Sequence, residues 1–375
     1  MRMFFFHTIV HNNNILIILK VVTHVEDLMQ RRTDLAIEVV EQFIGETSSK
    51  KSGIVKAEQV IDKLTVTCID ILKGHEQQTG KKPGRYLSID TSKLGLDTPD
   101  KLEQTRKVFS NELRKILTYK NIKEQATCLI IGLGNEHITP DALGPFTVDN
   151  IIVTRHLYEM KVDDIQSNYR EVSALVPGVM GLTGIETYDI IEAVIKKVKP
   201  DFLIVVDALA ARAVNRVNKM IQITDTGISP GSGVGNKRRT IDEESLGIPV
   251  IAIGIPTVVD AVSMTHDTID LLLEHIGKTL DEEMKGSYEH PHSHHEKDEE
   301  ADLKFSKENV RQQFFGKIGM LNKEEKRQLL MEVLTPAGHN LIVTPKTIDS
   351  EIEDLSRLIS NALNVALHPK IEFSS

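Results

Sequence analysis

Between Pro99 and Tyr119 apolar residues return every three or four positions. Leu102, Val108, Phe109, Leu113 and Ile116 make one stripe, which predicts an amphipathic helix over this stretch. The centre of the chain reads differently. Short unbroken runs rich in Ile, Leu and Val predict strands over 127–133, 172–176, 202–207, 220–224 and 249–254. Helical spacing separates them over 142–156, 184–198 and 258–276. Such alternation predicts an α/β fold with a mostly parallel sheet covered by helices on both faces. Outside the centre, 34–43 has helical spacing and 56–72 carries β-branched residues suited to paired strands. A GKKPG turn at 80–84 precedes a strand at 85–89, and helical periodicity returns at 323–334 and 348–367. These are extra β elements and C-terminal helical elements around the central sheet.

Two of the apolar runs deliver a carboxylate just past their apolar stretch: Asp141 in CLIIGLGNEHITPD and Asp207 in FLIVVDAL. The carboxyl ends of parallel strands converge on one crevice where ligands bind, so the two aspartates are candidates for an acid/base or metal-binding pair. The competing reading is structural, because strand-end aspartates also cap helices and hold turns. Thr139-Pro140 predicts an N-cap followed by proline at the first helical position. Asp141 would then lie in the first helical turn, where the helix dipole favours a carboxylate.

The chain has 375 residues, 40% hydrophobic and 26% charged, which suits an ordinary globular protein. A formal net charge of −9 without a Lys/Arg block argues against tight binding to nucleic-acid phosphates. Cys68 and Cys128, the only cysteines, make no disulfide framework and favour a reducing interior. Residues 1–22 are apolar in two pieces, each too short to span a bilayer and without a signal-peptide pattern. They read as a removable leader or the product of an upstream start codon. Residues 281–307, with His290, His292, His294 and His295 among Asp and Glu, read as an acidic, His-rich linker or loop.

The conspicuous motifs carry less. Gly132-Leu133-Gly134 would need a third glycine where His137 stands to bind a dinucleotide, and GSGVGNK at 231–237 misses the phosphate-loop spacing. Asp225-Thr226-Gly227 is the triplet of pepsin-like proteases, but those enzymes need two copies and an all-β fold. It reads as a turn, with Asp225 at most bordering the crevice. HExxH is absent, and His156 and His266 suit polar helix faces better than ligation.

The segments GLGNEHITPDALGP (132–145), VSALVPGVMGLTGIET (172–187), IVVDALAARAVNRVN (204–218), IQITDTGISPGSGVGNKR (221–238) and GIPVIAIGIPTVVDAV (247–262) closely resemble the spore germination protease family. VTRHLY (153–158), RTDLAIE (32–38) and LIVTPKTIDSEIEDL (341–355) extend the likeness from about Arg31 to the C-terminus. The resemblance implies an endopeptidase that begins the degradation of small acid-soluble spore proteins during germination. It implies cutting after Glu or Asp and before a hydrophobic residue followed by Ala. It also implies a homotetrameric zymogen that processes itself, located in the cytoplasm of the forespore and spore core. Asp34-Leu35-Ala36 fits the preference, so the implied self-processing cut is between Asp34 and Leu35.

The family's implicated aspartates match Asp141 and Asp207, and the family's fold resembles hydrogenase maturation proteases, which hold a metal at the same two places. No cofactor is expected if the carboxylates share a proton; a divalent metal held by both is the alternative. A nonenzymatic α/β peptide-binding module is the contrasting class. The implied organisation is a leader over 1–34, a catalytic α/β domain over 35–280, the linker over 281–307 and a C-terminal helical extension over 308–375 packing on the core. Arg155, Arg212, Lys237 and Arg238 are candidates, by charge, for recognising the acidic side chain before the cut.

Overall fold

A computed structural model describes residues 33–46, 53–163, 165–231, 239–286, 321, 323–334 and 341–368. Among them, one sheet contains β1 (Ile54–Ile61), β2 (Leu64–Ile71), β3 (Gly84–Asp90), β4 (Cys128–Gly132), β5 (Val172–Leu175), β6 (Phe202–Ala211), β7 (Met220–Thr224), β8 (Val250–Asp260) and β9 (Ile342–Val343). Their order is β1-β2-β3-β7-β8-β6-β4-β5, with β9 on β8. Strands β8, β6, β4 and β5 are parallel. The others join antiparallel. The fold is therefore α/β as expected, but the sheet is mixed, with a parallel core. An apolar run does not encode strand direction, so the antiparallel entry of β7 was not readable from it. The β1–β2 hairpin closes through Asp62 and Lys63, both at positive φ, as a tight two-residue turn requires.

Helices α1 (Ala36–Glu46), α2 (Pro99–Tyr119), α3 (Leu143–Val148), α4 (Thr187–Val198), α5 (Ala261–Gly286), α6 (Lys323–Leu334) and α7 (Ile348–Leu367) complete the frame. One sheet face carries Leu87, Ile130, Ile204, Val206, Ile223 and Ile253, packed with Phe109 and Leu113 of α2 and Ile359 and Leu363 of α7. Each such fully buried side chain contributes about 2–3 kcal/mol of transfer free energy. The opposite face divides in two. Leu129, Ile131, Leu203 and Val205 pack with Tyr188, Ile191 and Ile195 of α4. Ile69, Tyr86, Leu209 and Met220 pack with Leu35 and with Ala36, Ile37 and Val40 of α1.

Three predicted boundaries move. The expected helix over 142–156 is broken: α3 stops at Val148, and a separate turn of helix spans Arg155–Glu159. Asn364 of α7 holds the intervening chain, accepting from Ile152 N at 2.9 Å and donating to Asn150 O at 3.0 Å. Strand β6 continues past Asp207 to Ala211, and β8 continues through Val258–Asp260, which helical spacing had placed in a helix. Pairing of the two long strands, Ala210 with Val258 and Ala211 with Val259, overrides that local pattern. Helix α5 takes in residues 281–286 of the expected linker; its four histidines, like the leader before Thr33, lie outside the described residues.

Candidate active site

Strand β4 ends at Gly132, opposite Val206 of β6, and Leu133 N still donates to Val206 O at 2.8 Å. The chain then turns sharply. Gly134 has φ +116°, and a Cβ there would lie 1.9 Å from Asp141 O, so only glycine fits. Asn135 N donates to Asp141 Oδ2 at 2.9 Å, closing the loop on the carboxylate. Asp141 ends a short 3-10 turn, Thr139–Asp141, rather than lying in the first turn of α3. Thr139 is not the cap: Ile138 occupies that position without a side-chain bond. The turn is instead pinned from the sheet, where Thr257 Oγ1 of β8 donates to Pro140 O at 2.6 Å.

Asp207 is not at the end of its strand. Strand β4 stops one residue earlier, leaving β6 to run on from Asp207 without that neighbour. Asp207 is only 7% exposed, and its Oδ1 accepts Ala208 N at 2.9 Å. The start of α3 presses on this same edge. A Cβ on Gly144 would lie 2.2 Å from Leu133 O and 2.6 Å from Val206 O. Asp141, three residues before Gly144, and Asp207, one after Val206, thus occupy the same carboxyl edge of the parallel strands. Each has one carboxylate oxygen fixed by a backbone amide, a preorganised arrangement suited to proton transfer or cation binding.

Farther along β6 the exposed edge is covered by residues 33–38. Asp34 N donates to Ala210 O at 2.9 Å, and Ala210 N donates to Asp34 Oδ2 at 2.9 Å. Gln222 of β7 brackets the next peptide bond: its Nε2 donates to Asp34 O at 3.0 Å and its Oε1 accepts Ala36 N at 2.7 Å. Lys81 Nζ donates to Thr33 O and Asp34 O, each at 3.0 Å. Leu35 is fully buried in the α1 cluster. Neither Lys81 nor Gln222 stood out in the sequence. The available signal was a glutamine inside the apolar run of β7, a polar side chain that a buried strand keeps only when it is bonded.

The other candidates are occupied or elsewhere. Arg155 pairs with Glu171 at 2.7 Å and Glu159 at 3.3 Å. Arg212 forks onto Asp267 at 2.7 and 3.2 Å, and that bond raises its already high pKa. Lys237 and Arg238 lie outside the described residues. Asp225 follows β7 toward the amino ends of the parallel strands, away from the Asp207 edge, and accepts Arg85 N at 2.7 Å. Burial raises its pKa, opposed by that amide. Burial also pushes the Cys128 thiol well above its usual range. Among the described residues no three His, Cys, Asp or Glu side chains gather as a metal-binding group, and no helix is long and apolar enough to cross a membrane.

A family model described as germination protease matches residues 31–375. Germination protease of Bacillus velezensis (strain DSM 23117 / BGSC 10A6 / LMG 26770 / FZB42) is 48% identical over 354 residues, covering 91% of this chain and 94% of that one. The germination proteases of Bacillus subtilis (strain 168) and Priestia megaterium (strain ATCC 12872 / QMB1551) are 46% and 47% identical, over 354 and 349 residues, with the same coverage.

Proposed function

The chain belongs to the germination protease family, and we propose that it starts the breakdown of small acid-soluble spore proteins, cutting after Glu or Asp and before a hydrophobic residue followed by Ala. It is a peptide-bond hydrolase rather than a binding module. Asp141 and Asp207 are the working pair. One carboxylate takes a proton from water as the oxygen attacks the scissile carbonyl; the other, protonated, donates to the carbonyl oxygen. The leaving amine then takes up a proton, and the acyl half departs as a carboxylate. The observation that carries this reading is the shared edge: a turn pinned at Asp141 and a strand outrunning its neighbour at Asp207, joined through Gly144 and Val206.

The chain acts on itself first, between Asp34 and Leu35. That segment has the preferred acidic–hydrophobic–alanine order and lies against β6 three residues beyond Asp207. The working assembly is a homotetramer in the spore core. Purified full-length protein, incubated alone and then with a small acid-soluble spore protein, tests the reading by N-terminal sequencing and fragment mass. Asp141→Asn and Asp207→Asn should each slow both cuts about 100-fold or more without lowering the melting temperature by more than a few degrees. Full activity in either variant removes that residue from the pair. Loss with a chelator and recovery with one divalent metal would replace the shared proton by a bound cation.

A further inference from the structure

We propose that hydrolysis between Asp34 and Leu35 creates a buried ion pair between the new Leu35 α-ammonium and Glu38; the inference rests on the processing site of the preceding reading.

The two sides of that bond are held very differently. Everything on its carboxyl side is anchored. Leu35, Ala36 and Val40 are fully buried, and Glu38 is 7% exposed. Ala36 N is bonded to Gln222 Oε1. Glu38 Oε2 accepts Arg212 N at 2.8 Å, and its Oε1 accepts Ala213 N at 3.0 Å. On the amino side, Thr33 and Asp34 are only partly buried and are held by hydrogen bonds to Lys81, Gln222 and Ala210. A cut therefore leaves α1 seated by its buried side chains, while Thr33 and Asp34 keep only those hydrogen bonds.

Thr33 is the link that the cut removes. Its Oγ1 accepts Leu35 N at 3.1 Å and donates to Glu38 Oε2. One hydroxyl thus stands between the nitrogen that will become the amino terminus and a buried carboxylate. The spacing explains this. Leu35 immediately precedes α1, and Glu38 is the third residue of that helix, where a glutamate reaches back toward the amide just before the helix. Hydrolysis adds water across the bond: the hydroxyl goes to the Asp34 carbonyl carbon and a proton to the Leu35 nitrogen. A further proton passes to that nitrogen, leaving an Asp34 carboxylate and a Leu35 ammonium.

The ammonium is then in an apolar cluster at the positive end of a helix, both unfavourable to charge. The departing Thr33 hydroxyl vacates the bond to Glu38 Oε2, and the ammonium takes its place. Because the same carboxylate holds the amides of Arg212 and Ala213, the new charge fastens the end of the strand that carries Asp207. Glu38 is a positioning residue, acting through β6.

The test labels the Leu35 α-amine of the self-processed full chain with an amine-acylating reagent at neutral pH, read by mass spectrometry. Wild type and Glu38→Gln are each compared folded and in denaturant. Folded wild type should label at least about tenfold more slowly than in denaturant, and Glu38→Gln should recover most of that rate. Equal rates for the folded and denatured wild type overturn the proposal, even if Glu38→Gln does not fold; so do equal rates for the two folded proteins. N-terminal sequencing of the same sample separates the two failures. If wild type carries no Leu35 terminus, the processing reading is wrong and the ion pair falls with it.

Discussion

Asp207 of β6 and Gln222 of β7 both pair with Gly254 of β8 and project from the same face of the sheet. The strand between them offers no side chain at that position. The row Asp207–Gly254–Gln222 lies between the α4 and α1 clusters with Leu209 of β6 packed over Gly254, and each of its members has a testable role.

Gly254→Ala should push Leu209 off this row. The added Cβ would lie 2.5 Å from Leu209 Cγ and 2.8 Å from Asp207 O. We expect a loss of about 1–3 kcal/mol in urea denaturation from overpacking. Peptide cleavage should fall further than the fraction of folded protein, because Asp207 and Leu209 must move. Unchanged cleavage by a folded Gly254→Ala chain would show that the packing at Gly254 has no part in the reaction.

Gly134→Ala strikes the other carboxylate. The position combines φ +116° with a Cβ-to-Asp141 O distance of 1.9 Å, so the turn must open. Strain of about 1–3 kcal/mol is expected in the melting curve. Displacing Asp141 by an ångström should reduce turnover on the order of 100-fold. Stopped or continuous cleavage assays on the folded variant measure the second effect separately.

Gln222→Leu removes the amide that brackets the Asp34–Leu35 bond and leaves the buried Ala36 N–H without its acceptor. The expected cost is about 1–3 kcal/mol, concentrated at the start of α1. Hydrogen exchange should report it directly, with the Ala36 amide exchanging faster while amides of α2 and α7 keep their protection.

His368 should give the fold an acid-side weakness. Its ring is buried, Nδ1 accepting Arg170 N at 3.2 Å and Nε2 facing Ile152 O at 3.1 Å. Burial, with the Arg170 charge adding to it, holds its pKa below the usual 6.5. The unfolded chain therefore binds the proton first. Stability from the neutral ring is complete above pH 6.5 and is lost as pH falls from there toward the folded-state value, at up to about 1.4 kcal/mol per pH unit. Urea midpoints at pH 7.5, 6.5 and 5.5 should fall more steeply for wild type than for His368→Gln. Parallel slopes would clear His368 of the effect.

Periodicity located most of the frame, and the reasons for its successes and failures are local. Helix α2 was legible end to end, because Pro99 opens it and its apolar stripe is uninterrupted. Strand β6 was cut short at Asp207 because a charge ends an apolar run on paper; in the fold, Ala208 N satisfies part of that charge and β8 carries the pairing onward. The positions of Asp141 and Asp207 could be picked out as run-ending carboxylates, but their common edge depends on Gly144 meeting Val206, a contact between chain segments 62 residues apart in number (206 − 144). Glu38 gave no signal for the same reason, and the glutamine in the β7 run could be noticed but not given a role. Their partners, Arg212 N and Ala36 N, are remote in sequence, and only tertiary packing brings them into reach.

Strand β8 is the seam of the molecule, parallel to β6 on one side and antiparallel to β7 on the other. Its Ile251, Ile253 and Ile255 face the α2 and α7 core, which leaves Gly254 for the opposite face. One added residue between Val250 and Gly254 would invert that assignment and turn an isoleucine onto the row between Asp207 and Gln222. The bare position between Asp207 and Gln222 is therefore a parity condition. In chains that keep this activity, the count of residues across that short stretch should stay even or odd as it is here, whatever happens to loop lengths elsewhere.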